Sequence, residues 1–394
     1  MNSFDFYSPT YFVFGRDREN DTGKYVSRFG GKRVMIVYGG QSAKKSGLLD
    51  RVKKSVEDAG LSTVELGGVK SNPKSGLVYE GIELARKEGV DFLVAVGGGS
   101  VIDTAKAIAM GVPYEGDFWD FFSGKTPATA LPVGVVLTLA ASGSEGSPNA
   151  IITHEETLDK TAAEADCIRP KFAVMNPALT ESLPPFQTAC GVTDIISHAF
   201  ERYFTNTPGV ETTDRLLEGV VLAMMHEGRT AMADPHNFDA RANIMWGGMV
   251  CHNDIMGIGR KQDWNSHHLE HVLSAVYNCA HGAGLAVIMP AWMSYCIEHH
   301  PDANRFAMMA TRIFGCQMDY DDPRRTAREG VEAFKSFLRS IDMPLTLAEL
   351  GIDAADIEKL VEMNGVKDGE VTGGYVGLTR DAIREIYEMA AGIR

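Results

Sequence analysis

Short continuous apolar runs alternating with helix-length amphipathic segments constrain this chain more than any other feature. Residues 33–38 (RVMIVY), 62–66, 92–96 (FLVAV), 134–138 (GVVLT) and 172–175 (FAVM) read as strands, and 48–59 and 76–88, which lie between them, as helices. A strand apolar at consecutive positions is buried on both faces, as in a mainly parallel sheet covered by helices. After Pro184-Pro185 helical periodicity takes over, through 212–232, 239–254, 324–341 and 380–391, with hardly a strand candidate. The expected fold class is an α/β domain over 1–184 followed by an all-helical domain over 185–394. A chain of 394 residues is long enough for two cores.

The formal net charge of −14 argues against nucleic acid, which selects basic surfaces. Cys167, Cys190, Cys251, Cys279, Cys296 and Cys316 form no CxxC pair, so a thiolate zinc finger is not expected. Reduced thiols in a cytoplasmic protein are the simpler reading. The first residues carry an acid and no apolar core of a signal peptide, and no apolar run reaches membrane-spanning length.

The 92–96 strand runs into Gly97-Gly98-Gly99-Ser100 and then a helical pattern, with Ser100 as the expected N-cap. Strand, glycine turn and helix present backbone N–H groups and a positive dipole end to a phosphate. An ordinary βα turn that contains glycines is the competing reading. The 33–38 strand ends similarly, at Gly39-Gly40-Gln41-Ser42, followed by Lys44 and Lys45, with no acid before Asp50. An acid after this strand binds the ribose 2′-OH of NAD. Small residues and lysines there suit a 2′-phosphate, so NADP(H) is expected over NAD(H).

In the helical half Asp194 and His198 are four apart, as are His267 and His271, and His281-Gly282 follows. Residues four apart share a helix face. One carboxylate with three imidazoles suits a divalent metal such as Fe(II) or Zn(II). Taken singly, each histidine reads more simply as a capped or surface residue.

These strings resemble the iron-containing (group III) alcohol dehydrogenase family, and within it the NADPH-dependent butanol dehydrogenase or aldehyde reductase branch, nearly end to end. The marks are YGGQS at 38–42, Asn72-Pro73, GGGSVID at 97–103, LTLAASGSE at 137–145, Lys160, Pro177, GVTDIISH at 191–198, Asp263-Trp264 through His267, and His281-Gly282. The resemblance implies a Rossmann-like sheet domain joined to a helical domain, as in dehydroquinate synthase-like folds. It implies Asp194, His198, His267 and His281 as metal ligands, with Fe(II) favoured and Zn(II) the alternative. It implies cofactor contacts from Gly39, Gly40, Ser42, Asn72, Gly97, Gly98, Gly99, Ser100, Asp103, Thr138, Leu139, Ser142 and Lys160. His271 falls where the family places a second histidine facing nicotinamide and substrate. It is the expected proton relay, or else a residue that only shapes the pocket. The 137–145 string departs from the commoner TTAGTGSE and blurs the contacts there, and the 252–260 stretch does not align clearly.

The expected activity is hydride transfer between NADP(H) and a small primary alcohol or aldehyde, by a homodimer without membrane or nucleic-acid partners. Rival readings are an NAD-dependent polyol dehydrogenase of the glycerol type, a dehydroquinate synthase-like lyase, and a non-catalytic nucleotide-binding protein with a structural metal.

Overall fold

The computed structural model describes residues 1–394. Eight strands form: β1 (Tyr11–Phe14), β2 (Arg33–Tyr38), β3 (Ser62–Leu66), β4 (Phe92–Gly97), β5 (Val133–Leu137), β6 (Asn149–Thr153), β7 (Lys160–Glu164) and β8 (Phe172–Met175). Six make one sheet in the order β1-β8-β5-β4-β2-β3, and every pairing in it is parallel. Its four inner strands are buried along nearly their whole length, so the apolar runs of the sequence are its covered strands. Alternate side chains feed opposite layers. Met35, Val37, Leu93 and Ala95 pack with Ile102 and Ile108, whereas Val34, Ile36, Val94 and Val96 pack with Val52 and Val56.

β6 and β7 pair antiparallel, apart from this sheet, in a hairpin that the sequence does not announce. KTAAE is half exposed and built from residues poor in strand propensity, so neither its periodicity nor its composition signals a strand. The helix after β4 begins at Gly99, with Gly98 rather than Ser100 at the N-cap. This corrects the expected cap: the turn closes two residues earlier, since the N–H groups of Val101 and Ile102 both donate to Gly98 O.

The chain packs as two compact units that are not contiguous halves: residues 7–183 with 236–254, and residues 1–6, 184–235 and 255–394. The helix Phe238–His252 therefore packs with the sheet. Met245 and Met249 join the sheet's core, and Trp246 meets Phe12 and Phe14 edge to face. Within the other unit the helix Pro185–Tyr203, buried from Thr188 onward, packs against Glu211–Ala233 and His281–His299. No helix is long and apolar enough to cross a membrane.

Candidate functional site

In the sheet unit β2 and β4 are neighbours whose following strands lie on opposite sides, β3 beyond β2 and β5 beyond β4. The crevice at the carboxyl ends of two such strands is where open α/β sheets bind ligands. Gly39 and Gly40 follow β2 there, and Gly97 to Gly99 end β4 and open the helix Gly99–Gly111. A Cβ at Gly99 would lie 2.4 Å from Ser142 Oγ, so the turn and the 138–142 segment are in close contact. Thr138 N donates to Gly97 O at 3.0 Å, and Leu139 lies against Gly98. The leading N–H groups of a helix have no partner within it, which suits this turn to an anion.

Asp103 accepts from Ser144 Oγ at 2.6 Å and is buried, so it braces the 142–144 turn from within. Burial lifts its carboxyl to about 6 against the pull of Lys106 and the Ser144 hydroxyl. Lys160 Nζ donates to Asn72 Oδ1 at 3.1 Å, with Asn72 in the left-handed region at φ 51°. Ser42 opens a short helix whose Lys44 ammonium stands 5.0 Å from the Tyr38 ring centroid. Glu65 is the acid near this corner. It is held by Lys53 at 2.9 Å and accepts from Tyr38 Oη at 3.4 Å.

In the helical unit Asp194, His198, His267 and His281 come together. Asp194 Oδ1 lies 3.6 Å from His198 Nε2 and 3.7 Å from the Nε2 atoms of both His267 and His281. These separations are too long for hydrogen bonds. They are close to the edges of about 3.4 Å that a tetrahedron of donors has at about 2.1 Å from a shared centre. Asp194 Oδ1 and His267 Nε2 are buried without a hydrogen-bond partner. Orphaned atoms of this kind cost about 1–3 kcal/mol each unless something else satisfies them. A divalent cation among the four would do so, and the residues present fit one. Burial alone would raise the Asp194 carboxyl, but the imidazoles of His198, His281 and His267 outweigh it and hold it well below the usual range. Burial would lower His267, yet Asp194 and Glu201 lift it to about 9. No cysteine takes part: all six are free thiols, and burial pushes Cys190, on the Asp194 helix, up to about 12.

Two residues that the sequence did not single out complete the centre. Glu201 Oε1 accepts from His267 N at 3.0 Å and lies 2.7 Å from His267 Nδ1. Glu270 Oε2 takes the Nδ1 of His281. With Nδ1 donating to a carboxylate, each ring is fixed with Nε2 towards the centre. Both glutamates sit three residues after a candidate ligand on the same helix, the one signal that could have found them. Glu270, His271 and His281 also bring donor atoms within 4.8 Å of one another. Glu270 is engaged by His281 Nδ1, so the Asp194 set is the better cation site. His271 is half-buried, its ring centroid 5.6 Å from His281 and 6.5 Å from His267, outside the four donors.

The centre depends on close helix approach. A Cβ at Gly282 would lie 2.1 Å from Cys190 O, and one at Gly284 would lie 2.6 Å from Glu270 Oε1. Trp264 stands edge-on to His198 and His267, with centroids 5.8 and 5.1 Å away, under the Arg202 guanidinium. Its backbone sits at φ 134°, ψ 7°, a region that costs a residue with a side chain on the order of 1–3 kcal/mol.

Comparison with known proteins agrees with this architecture. The chain is 35% identical to the NADPH-dependent aldehyde reductase YqhD of Escherichia coli, covering 99% of this chain and 100% of that protein. It is 35% identical to NADH-dependent butanol dehydrogenase A of Clostridium acetobutylicum, covering 98% and 99%. The crystal structure of NADH-dependent butanol dehydrogenase A from Thermotoga maritima superposes with a TM-score of 0.94 at 38% identity, covering 99% of each chain. Residues 9–177 match the iron-containing alcohol dehydrogenase model and residues 188–391 its C-terminal counterpart. Sheet, glycine turn and four-donor centre thus fall within matched segments that together span almost the whole chain, which belongs to the iron-containing alcohol dehydrogenase family.

Proposed function

We propose that the protein is an oxidoreductase that interconverts small primary alcohols and aldehydes with NADP(H), and that Asp194, His198, His267 and His281 hold one divalent cation, Fe(II) in preference to Zn(II). The observation that carries this reading is the buried Asp194 Oδ1, ringed by three Nε2 atoms at 3.6–3.7 Å and bonded to none. A cation bound there supplies Lewis acidity towards a carbonyl or hydroxyl oxygen. Glu201 and Glu270 hold the His267 and His281 rings in the required tautomer. The Gly97–Ser100 turn takes the pyrophosphate on its N–H groups. His271, beside the donors, passes the proton that the substrate oxygen gains on reduction or releases on oxidation.

Preference for the 2′-phosphate rests on Gly39, Gly40 and Ser42 with Lys44 nearby, and on Glu65 being neutralised by Lys53. Use of NAD(H) is the second reading, favoured by relatives named as NADH-dependent. The test is consumption of NADPH and NADH with butanal, before and after chelation. NADPH turnover that disappears with chelator and returns with Fe(II) supports the proposal; turnover untouched by chelation overturns it. Higher kcat/KM with NADH selects the second reading.

A further inference from the structure

We propose that Asp263 is a positioning residue of this centre: its carboxylate ties the 374–375 turn to the head of the helix Asn265–Tyr277 and so keeps Trp264 in the backbone conformation that sets the indole against His198 and His267. The inference rests on the reading that Asp194, His198, His267 and His281 hold a cation. Asp263 is buried, and each of its oxygens has a separate task. Oδ1 accepts from Trp264 N at 3.1 Å and Asn265 N at 2.8 Å, at the N-cap and first residue of the helix that carries His267 and His271. Oδ2 accepts from Gly374 N at 2.9 Å and Tyr375 N at 2.6 Å. The Asp263 N–H donates to Glu201 O at 3.0 Å, which links the clamp to the residue that orients His267.

This arrangement needs a carboxylate. An asparagine at 263 would turn its NH2 towards two backbone N–H groups whichever way it faced, and donors cannot satisfy donors. Trp264 is where the released strain would act. At φ 134° only glycine sits without penalty, so loss of the clamp lets the tryptophan backbone relax and carry the helix head, with His267, out of place. The turn is fitted closely from the other side as well: Gly373 has φ 99°, and a Cβ there would lie 2.0 Å from Asn265 Nδ2.

The experiment is Co2+ binding to chelator-stripped full-length protein, followed by visible absorption, in the parent and in D263N, W264G, the D263N/W264G double variant and H267A. Asp263→Asn is expected to weaken Co2+ binding about tenfold in the parent, as changes behind a ligand do, and less than about threefold in the W264G background, where no side-chain strain remains to be released. Equal losses in the two backgrounds, or no loss in the parent, overturn the inference. Should D263N fail to fold, Gly373→Ala disturbs the same clamp from the opposite side and is expected to weaken Co2+ similarly; unchanged binding there overturns the inference too. A parent that takes up no Co2+, or an H267A that binds as tightly as the parent, overturns the metal reading and this inference with it. Retained parent binding, lost in H267A but not in D263N, overturns this inference alone.

Discussion

Replacing His267 by alanine removes one of three imidazoles around Asp194 and leaves Glu201 buried without the ring it orients. Metal content and turnover are expected to fall together, turnover by at least about a hundredfold, while the fold persists; metal analysis beside circular dichroism checks this. At the sheet end a Cβ on Gly39 would come no nearer than 3.4 Å to Val69 O, so the backbone tolerates a side chain. Gly39→Asp is therefore expected to leave stability intact and to raise KM for NADPH at least about tenfold through like-charge repulsion, with a much smaller effect on NADH. Steady-state kinetics with both cofactors is the check. At this scale Asp194 and His198 were legible from their i,i+4 spacing, whereas the same spacing paired His267 with His271, which lies outside the donors, and His281 entered the set through the family resemblance. Glu201 and Glu270 were not, since a glutamate on a helix ordinarily reads as solvated surface, and only the tertiary structure shows both to be fully buried. Nor does sequence reveal that a tryptophan adopts φ 134°.

The helices Pro185–Tyr203 and His281–His299 meet where Gly282 lies against the Cys190 carbonyl. In the string His281-Gly282-Ala283-Gly284 the two glycines face Cys190 and Glu270, where a side chain would not fit. Gly282→Ala places a methyl 2.1 Å from a backbone oxygen on the helix that carries Asp194. Destabilisation of about 1–3 kcal/mol is expected from overpacking, with weakened metal uptake because both donor-bearing helices must part; urea unfolding measures the first and metal analysis the second. Among strands, the four inner ones of the parallel sheet were readable because burial on two faces writes an unbroken apolar run. The β6–β7 hairpin, exposed along much of β7, writes no such run, and its alanines and charges resemble loop or helix.

For the whole molecule, pH acts through the buried charges of the sheet unit. Lys106 Nζ donates to the carbonyls of Ser144, Ser147 and Asn149 at 2.7–2.9 Å, and Glu145 is buried nearby. Burial raises Glu145 from 4.5 to about 7, despite the pull of its own backbone N–H and of Lys106. A raised carboxyl means that the folded state holds a proton which the unfolded state has lost, so stability from this group is present at low pH and falls between about pH 4.5 and about pH 7. Wild-type protein is expected to lose roughly 2 kcal/mol over that window from Glu145. Glu145→Gln, which does not titrate, should flatten the slope; urea midpoints at about pH 5 and about pH 7.5 decide it. The two-unit division also predicts that a fragment ending at 184 unfolds without a cooperative transition in thermal circular dichroism, because Met245 and Met249 are missing from its core.

That borrowed helix, Phe238–His252, sets the order in which a newly made chain can mature. Synthesis delivers every strand of the sheet long before it delivers residue 252. The layer that Met245 and Met249 complete must therefore wait, its methionine socket open, while the ribosome extends the chain through two further helices. The sheet unit thus stays unfinished until residue 254 although its last strand ends at Met175, and chaperones would meet it with that socket still unfilled.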